Sequence, residues 1–187
     1  MPKLILASQS PRRKELLQKL QIPFESISSN VDEQLADNLS PEDAVIELAT
    51  RKASFIAEQY KEAIIIGADT IVVHNGNILG KPKDRMMAKE TLESLSGNQH
   101  SVFTGVTVIY QGKHQSFYEK TDVTFWELTS KEIEKYLNSD EPYDKAGSYG
   151  IQGLGALFVK MINGDYYNVV GLPISRLNRF FKEKKLF

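Results

Sequence analysis

Six residues between an apolar segment and a helix start, Ser8-Gln9-Ser10-Pro11-Arg12-Arg13, bring together hydroxyls, backbone N–H groups and two guanidinium groups. At the positive end of a helix dipole such groups suit an anion. The string is equally compatible with Ser10 as a plain helix cap and arginines left in solvent. Asp69 stands out for another reason: it follows Ile64-Ile65-Ile66-Gly67-Ala68 and precedes Thr70-Ile71-Val72-Val73, so a carboxylate interrupts a run that otherwise belongs in a core. A charge there needs a cation or strong hydrogen bonds, unless it ends a strand and caps a turn. Gly67, two residues earlier, favours the close approach of a ligand.

Lys52 falls on the inward stripe Val45, Leu48, Ala49, Ala53, Ile56, Tyr60. A lysine there either runs its ammonium out to water, the ordinary outcome, or meets an anion. Lys81 sits between Gly80 and Pro82 in a loop just beyond the Asp69 segment. Asp32 and Glu33 precede the second helix as an acidic pair that becomes a metal site only if the fold carries it to Asp69. Gly76 to Lys81 resembles a phosphate loop, but the glycine spacing is one short and Pro82 replaces the magnesium-binding hydroxyl. The glycines from Gly147 to Gly155 do not form a dinucleotide fingerprint, and His74, His100 and His114 lack metal-ligand spacing.

These residues have to be positioned by short apolar runs alternating with amphipathic segments, the order of an α/β protein. Leu4–Ala7, Phe24–Ser28 and Ala63–Val73 read as strands. Helix starts are written by Ser10-Pro11, by Ser40-Pro41 with Asp43, and by Thr129 with Glu132, while Gly97 ends a helix over Met86–Leu95. Val102–Tyr110 and Ser116–Thr124 form a hairpin around Gln111-Gly112-Lys113, and Asn75-Gly76 marks a further tight turn. A tight hairpin turn at Asn163-Gly164-Asp165 joins Leu157–Ile162 to Tyr166–Val170 as two strand-like runs. The expected fold is a single domain over residues 1–187, an elongated mixed β-sheet flanked by helices.

Lysine and arginine number 23 against 24 acids, a net charge of −1 that gives no long-range attraction to nucleic acid or anionic lipid. The absence of cysteine excludes disulfides and thiolate chemistry and suits a reducing compartment. No apolar stretch is long enough to span a bilayer and the first residues begin no signal-peptide pattern, so a cytoplasmic protein is expected.

Taken together, Ser8-Gln9-Ser10-Pro11-Arg12-Arg13, Glu33, Lys52, Gly67-Ala68-Asp69-Thr70, Gly80-Lys81-Pro82, Leu95-Ser96-Gly97 and the stretch from Asp140 to Gly153 resemble the Maf family in order and spacing. So do Gly164-Asp165-Tyr166-Tyr167 and Val170-Gly171-Leu172-Pro173, so that the likeness covers nearly the whole chain. The resemblance implies a fold shared with inosine triphosphate pyrophosphatases, an active-site cleft between two lobes, hydrolysis at the α-phosphorus with a divalent metal such as magnesium or manganese, and a homodimer. It implies Asp69 as catalytic proton acceptor, Ser8, Arg13, Lys52 and Lys81 as phosphate-binding, Glu33 and Asp69 as metal-binding, and Arg12, Thr70 and Gln152 as setting substrate specificity.

Those last three match the branch that hydrolyses dTTP and UTP to monophosphate and pyrophosphate. The branch acting on 7-methyl-GTP inserts an aromatic residue before the arginine pair and carries glutamate where Gln152 stands. A further alternative is a non-catalytic nucleotide-binding regulator of septum formation, which the intact Asp69, Glu33, Lys52 and Lys81 set weakens.

Overall fold

The computed structural model describes residues 2–36 and 39–187. Strands β1 (Leu4–Leu6), β2 (Phe24–Ser26) and β3 (Ile64–His74) pair in parallel, with β1 between the other two; β4 (Asn77–Leu79) returns antiparallel on β3. β5 (Gln99–Tyr110), β6 (Lys113–Phe125) and β7 (Val159–Asn163) complete a mixed seven-stranded sheet of order β2-β1-β3-β5-β6-β7, with β4 off this path. Helices α1 (Pro11–Gln18), α2 (Pro41–Ala57), α3 (Arg85–Leu95) and α4 (Ser130–Leu137) fall between strands, and α5 (Tyr166–Val170) and α6 (Ile174–Glu183) follow β7.

Local chemistry explains most boundaries. The Ser10 hydroxyl accepts from the Arg13 amide at 3.4 Å, and the Ser40 hydroxyl from the Asp43 amide at 3.1 Å. Thr129 and Glu132 exchange the two bonds of a capping box, satisfying amides that the helix cannot. Asn75-Gly76 and Gln111-Gly112 join β3 to β4 and β5 to β6, and both residues of each pair have positive φ, as two-residue hairpin loops with the sheet's twist require.

The expected strand over Tyr166–Val170 is not one; the segment is α5. The Asp165 carboxylate accepts from the Tyr167 amide at 2.8 Å, starting a helical turn. Buried Asn168 donates to the Val102 carbonyl at 3.0 Å and to the Thr121 hydroxyl at 2.9 Å. These tertiary bonds override a β-prone composition. The stretch before the Gly164 turn is also shorter as a strand than expected, because Leu154–Phe158 winds into a 3₁₀ helix ahead of β7.

Two compact units share the chain. The first comprises Met1–Asp69, Thr104–Glu119 and Gly171–Phe187, the second Thr70–Phe103 and Lys120–Val170. In the first, Ile5, Ala7, Ala53, Ile56, Ala63, Ile65 and Ile109 form one buried cluster between α2 and the strands. Each large aliphatic side chain fully removed from water contributes about 1.5–3 kcal/mol. In the second, aromatic edges meet faces: Phe125 and Tyr149 lie 4.7 Å apart, and Tyr136 and Phe158 4.8 Å.

Candidate active site

Within the first unit, β1 leads into a loop pinned by hydroxyls. Buried Ser8 accepts from the Ser10 amide through its side chain at 3.2 Å, and its carbonyl accepts from the Ser26 hydroxyl. The Ser29 hydroxyl holds the Ala7 carbonyl at 3.2 Å. One helical turn on, Arg13 is half-buried and its Nε donates to the Gly171 carbonyl at 2.8 Å. Loss of water lowers the Arg13 pKa from the ordinary arginine value; the negative charge of Asp69 opposes this, the neighbouring Arg12 adds to it, and Glu33 opposes it again. Arg13 therefore stands in the field of both carboxylates.

Lys52 meets anions instead of reaching for water. It is 8% exposed on the inner face of α2, and its Nζ donates to Asp69 Oδ1 at 2.5 Å and to Glu33 Oε1 at 2.7 Å. The cation that a carboxylate in a core run requires is thus a lysine one layer away. Asp69 does not end a strand, since β3 continues to His74. Glu33 comes from the loop before α2 and its side chain is 60% exposed, so the cluster runs from a buried end at Asp69 to a wet end at Glu33. The Asp32 carboxylate turns away from this cluster and accepts from the Gln34 amide at 2.9 Å.

Gly67 serves a different partner from the ligand expected of it. A Cβ there would lie 2.1 Å from the Ala49 carbonyl oxygen and 2.8 Å from the Ala53 nitrogen. On β5, a Cβ at Gly105 would lie 2.4 Å from the Val45 carbonyl carbon and oxygen. The missing side chains let α2 rest against both strands. Gly67 and Asp69 share a face of β3 by the alternation of strand residues. The close approach that needs glycine is therefore the one that sets Lys52 against Asp69.

Buried ion pairs give little net stability, because dehydration of the charges offsets their attraction. A lysine shared by two carboxylates beside an arginine is better suited to chemistry on a charged ligand. The donor set also bears on metal. Glu33 and Asp69 converge on one cation position, and among the described residues no group of three His, Cys, Asp or Glu could hold an ion. Magnesium is commonly bound by one or two carboxylates together with substrate phosphates. The pair fits an ion that arrives with a nucleotide.

The remaining expected residues lie in the second unit, apart from half-buried Arg12 on α1. Thr70 follows Asp69 on β3 and is half-buried; Lys81 is exposed in the loop after β4. Gln152 is exposed in a turn held on one side by the Tyr136 hydroxyl, which accepts from the Gly150 amide at 3.2 Å, and on the other by Glu141. The Glu141 carboxylate accepts from the Tyr136 hydroxyl at 2.8 Å and from the Leu154 and Gly155 amides at 2.8 and 3.0 Å. Partial burial pushes its pKa up, but the Gly155, Leu154 and Tyr136 bonds outweigh this and leave it below the ordinary glutamate value. A Cβ at Gly153 would lie 2.1 Å from Glu141 Oε2, so any larger residue there would push this carboxylate aside.

Sequence reasoning passes over two residues that shape these loops, Glu141 and Arg51. Arg51 follows Glu47 by four residues, which reads as an ordinary helix-surface pair.

An α/β protein with an acid–lysine–acid cluster, an adjoining arginine and a hydroxyl-pinned loop at a helix N-terminus belongs to the class built to handle polyanionic substrates. The chain belongs to the Maf family, since the model for Maf-like protein matches residues 3–184. A protein of Bacillus cytotoxicus named dTTP/UTP pyrophosphatase is 57% identical over 183 residues, covering 98% of this chain and 96% of the relative. A Bacillus cereus AH187 protein of the same name shows the same identity and coverage. Among solved structures, the Staphylococcus aureus Ham1 protein aligns with a TM-score of 0.47 at 12% identity, over 66% of this chain and 71% of that one. Among the described residues no helix is long and apolar enough to cross a membrane.

Proposed function

We propose that the chain hydrolyses dTTP and UTP to the nucleoside monophosphate and pyrophosphate, assisted by a divalent cation, magnesium or manganese. The observation that carries this reading is the convergence of Glu33 and Asp69 on Lys52, one carboxylate wet and one buried. The name of the Bacillus relatives supports the substrate.

In the reaction, water attacks the α-phosphorus, the bond from that phosphorus to the bridging oxygen breaks, and pyrophosphate leaves. Asp69 accepts the proton of the attacking water. A divalent ion held by Glu33 and Asp69 with the substrate phosphates would supply charge neutralisation. Lys52 and Arg13 offset the charge that gathers on the departing oxygens, and Ser8 and Lys81 extend the phosphate-binding set. Arg12, Thr70 and Gln152 choose the base. The glutamine amide offers a donor and an acceptor to the imide edge of uracil or thymine, whereas glutamate would suit a cationic methylated guanine.

The setting of this activity is the cytoplasm, in keeping with a chain free of cysteine. Its state is a homodimer, which the outward-facing Leu154, Leu157 and Met161 of the second unit would favour. Light scattering tests the dimer. Phosphorus NMR of a UTP digest, with and without magnesium, tests the reaction: uridine monophosphate and pyrophosphate are expected, and only with the metal. UDP with orthophosphate from the outset would overturn the assignment.

A further inference from the structure

Arg51 precedes Lys52 on α2, so it leaves the helix about 100° around the axis from the lysine. It reaches the loop that carries Glu33. One guanidinium nitrogen donates to two backbone carbonyls, Asp32 at 3.1 Å and Gln34 at 2.7 Å, and the other donates to the Glu47 carboxylate one turn back. The two carbonyls bracket the Glu33-Gln34 pair. Peptide units are planar, so with the unit entering Glu33 and the unit leaving Gln34 both held, the two-residue backbone between them, and with it the Glu33 side chain, is restricted. So held, Glu33 delivers Oε1 to Lys52 at 2.7 Å, from a loop with no helix or strand to stiffen it.

We infer that Arg51 is a positioning residue that clamps the Asp32 and Gln34 carbonyls and so aims the Glu33 carboxylate at the Lys52–Asp69 centre. The inference rests on the reading above for what Glu33 does there, but the clamp itself is a property of the loop. Arginine suits the task because its planar fork spans several acceptors in fixed directions, which a lysine ammonium cannot do. Overall stability has little stake in it, since the Arg51–Glu47 pair is about one-third exposed and such surface pairs contribute little.

The test compares wild type, Arg51→Ala, Arg51→Lys and Glu33→Gln, with α,β-methylene-UTP as the probe. Calorimetry gives its Kd with and without magnesium, and hydrogen exchange of the free protein reports on the amides from residue 33 to 36. Both Arg51 variants are expected to melt like wild type and to bind the metal-free analogue unchanged. Their magnesium-dependent binding should weaken by about 10–100-fold, as second-layer supports of a metal site typically do. Glu33→Gln should weaken it at least as much, and loop exchange should rise in both Arg51 variants.

Weakening in Glu33→Gln with none in Arg51→Ala overturns the positioning role. Full rescue by Arg51→Lys overturns the need for the fork. If Glu33→Gln itself binds normally, the role given to Glu33 falls, and exchange decides the clamp alone: faster exchange upholds it and unchanged exchange removes it.

Discussion

Replacing Gly67 with alanine adds one methyl group at the closest approach of α2 to β3. Gly67 has no positive φ that would penalise alanine, so the effect is one of space. The new Cβ would stand 2.1 Å from the Ala49 carbonyl oxygen, an atom of the helix backbone that cannot rotate aside. Non-bonded heavy atoms settle at about 3.5–4.0 Å, so helix and strand must part locally by about 1 Å or more. Overpacking of this kind costs about 1–3 kcal/mol, and backbone on both sides argues for the upper end. Asp69 lies two residues along the same face, so the separation acts on the 2.5 Å contact with Lys52. A misplacement of about 1 Å among catalytic groups lowers rates by about 100-fold. Urea unfolding and pyrophosphate release from UTP measure the two effects side by side. Wild-type stability would refute the close contact. Reduced stability with undiminished kcat/KM would show that the spacing of α2 and β3 does not govern the Lys52–Asp69 pair.

Asp69→Asn should lose most turnover while remaining folded, because an amide cannot accept the proton and Glu33 still pairs with Lys52; near wild-type pyrophosphate release would make Asp69 structural. Arg12→Ala should erase a preference for UTP over CTP worth about 1–3 kcal/mol, since a guanidinium can only donate and opposes the cytosine amino group. Equal kcat/KM values for the two nucleotides in wild type, or a preference that survives the substitution, would take Arg12 out of base choice. His100 is 2% exposed, with Nε2 against the Tyr149 hydroxyl at 2.7 Å. Burial, helped by the charge of His74, pulls its pKa from 6.5 to about 4. Protons then bind the unfolded chain first, so stability should be full above pH 6.5 and fall by about 3 kcal/mol as the pH drops towards 4. His100→Gln should flatten that decline in urea titrations at pH 7 and 4.5, and identical slopes in the two proteins would place the acid sensitivity elsewhere.

Features written in neighbouring residues were legible in the sequence. The caps at Ser10, Ser40 and Thr129 each join a side chain to an amide three residues on, and the paired turns at Asn75-Gly76 and Gln111-Gly112 need φ values that those residues tolerate. Asp69 was also visible as a charge without a local partner inside an apolar run, and so was the family. What answers that charge was not visible: a lysine on an inward stripe reads the same whether it escapes to water or meets an acid, and only α2 lying against Gly67 and Gly105 decides for the acid. Glu33 belongs to a loop with no periodicity, so its direction depends on Arg51 holding two carbonyls, an arrangement no residue spacing encodes. Tyr166–Val170 failed as a strand for the same reason, because Asn168 finds its partners 66 and 47 residues away. Short-range bonds are properties of the chain, whereas burial, charge pairing and loop direction become defined only when distant segments pack.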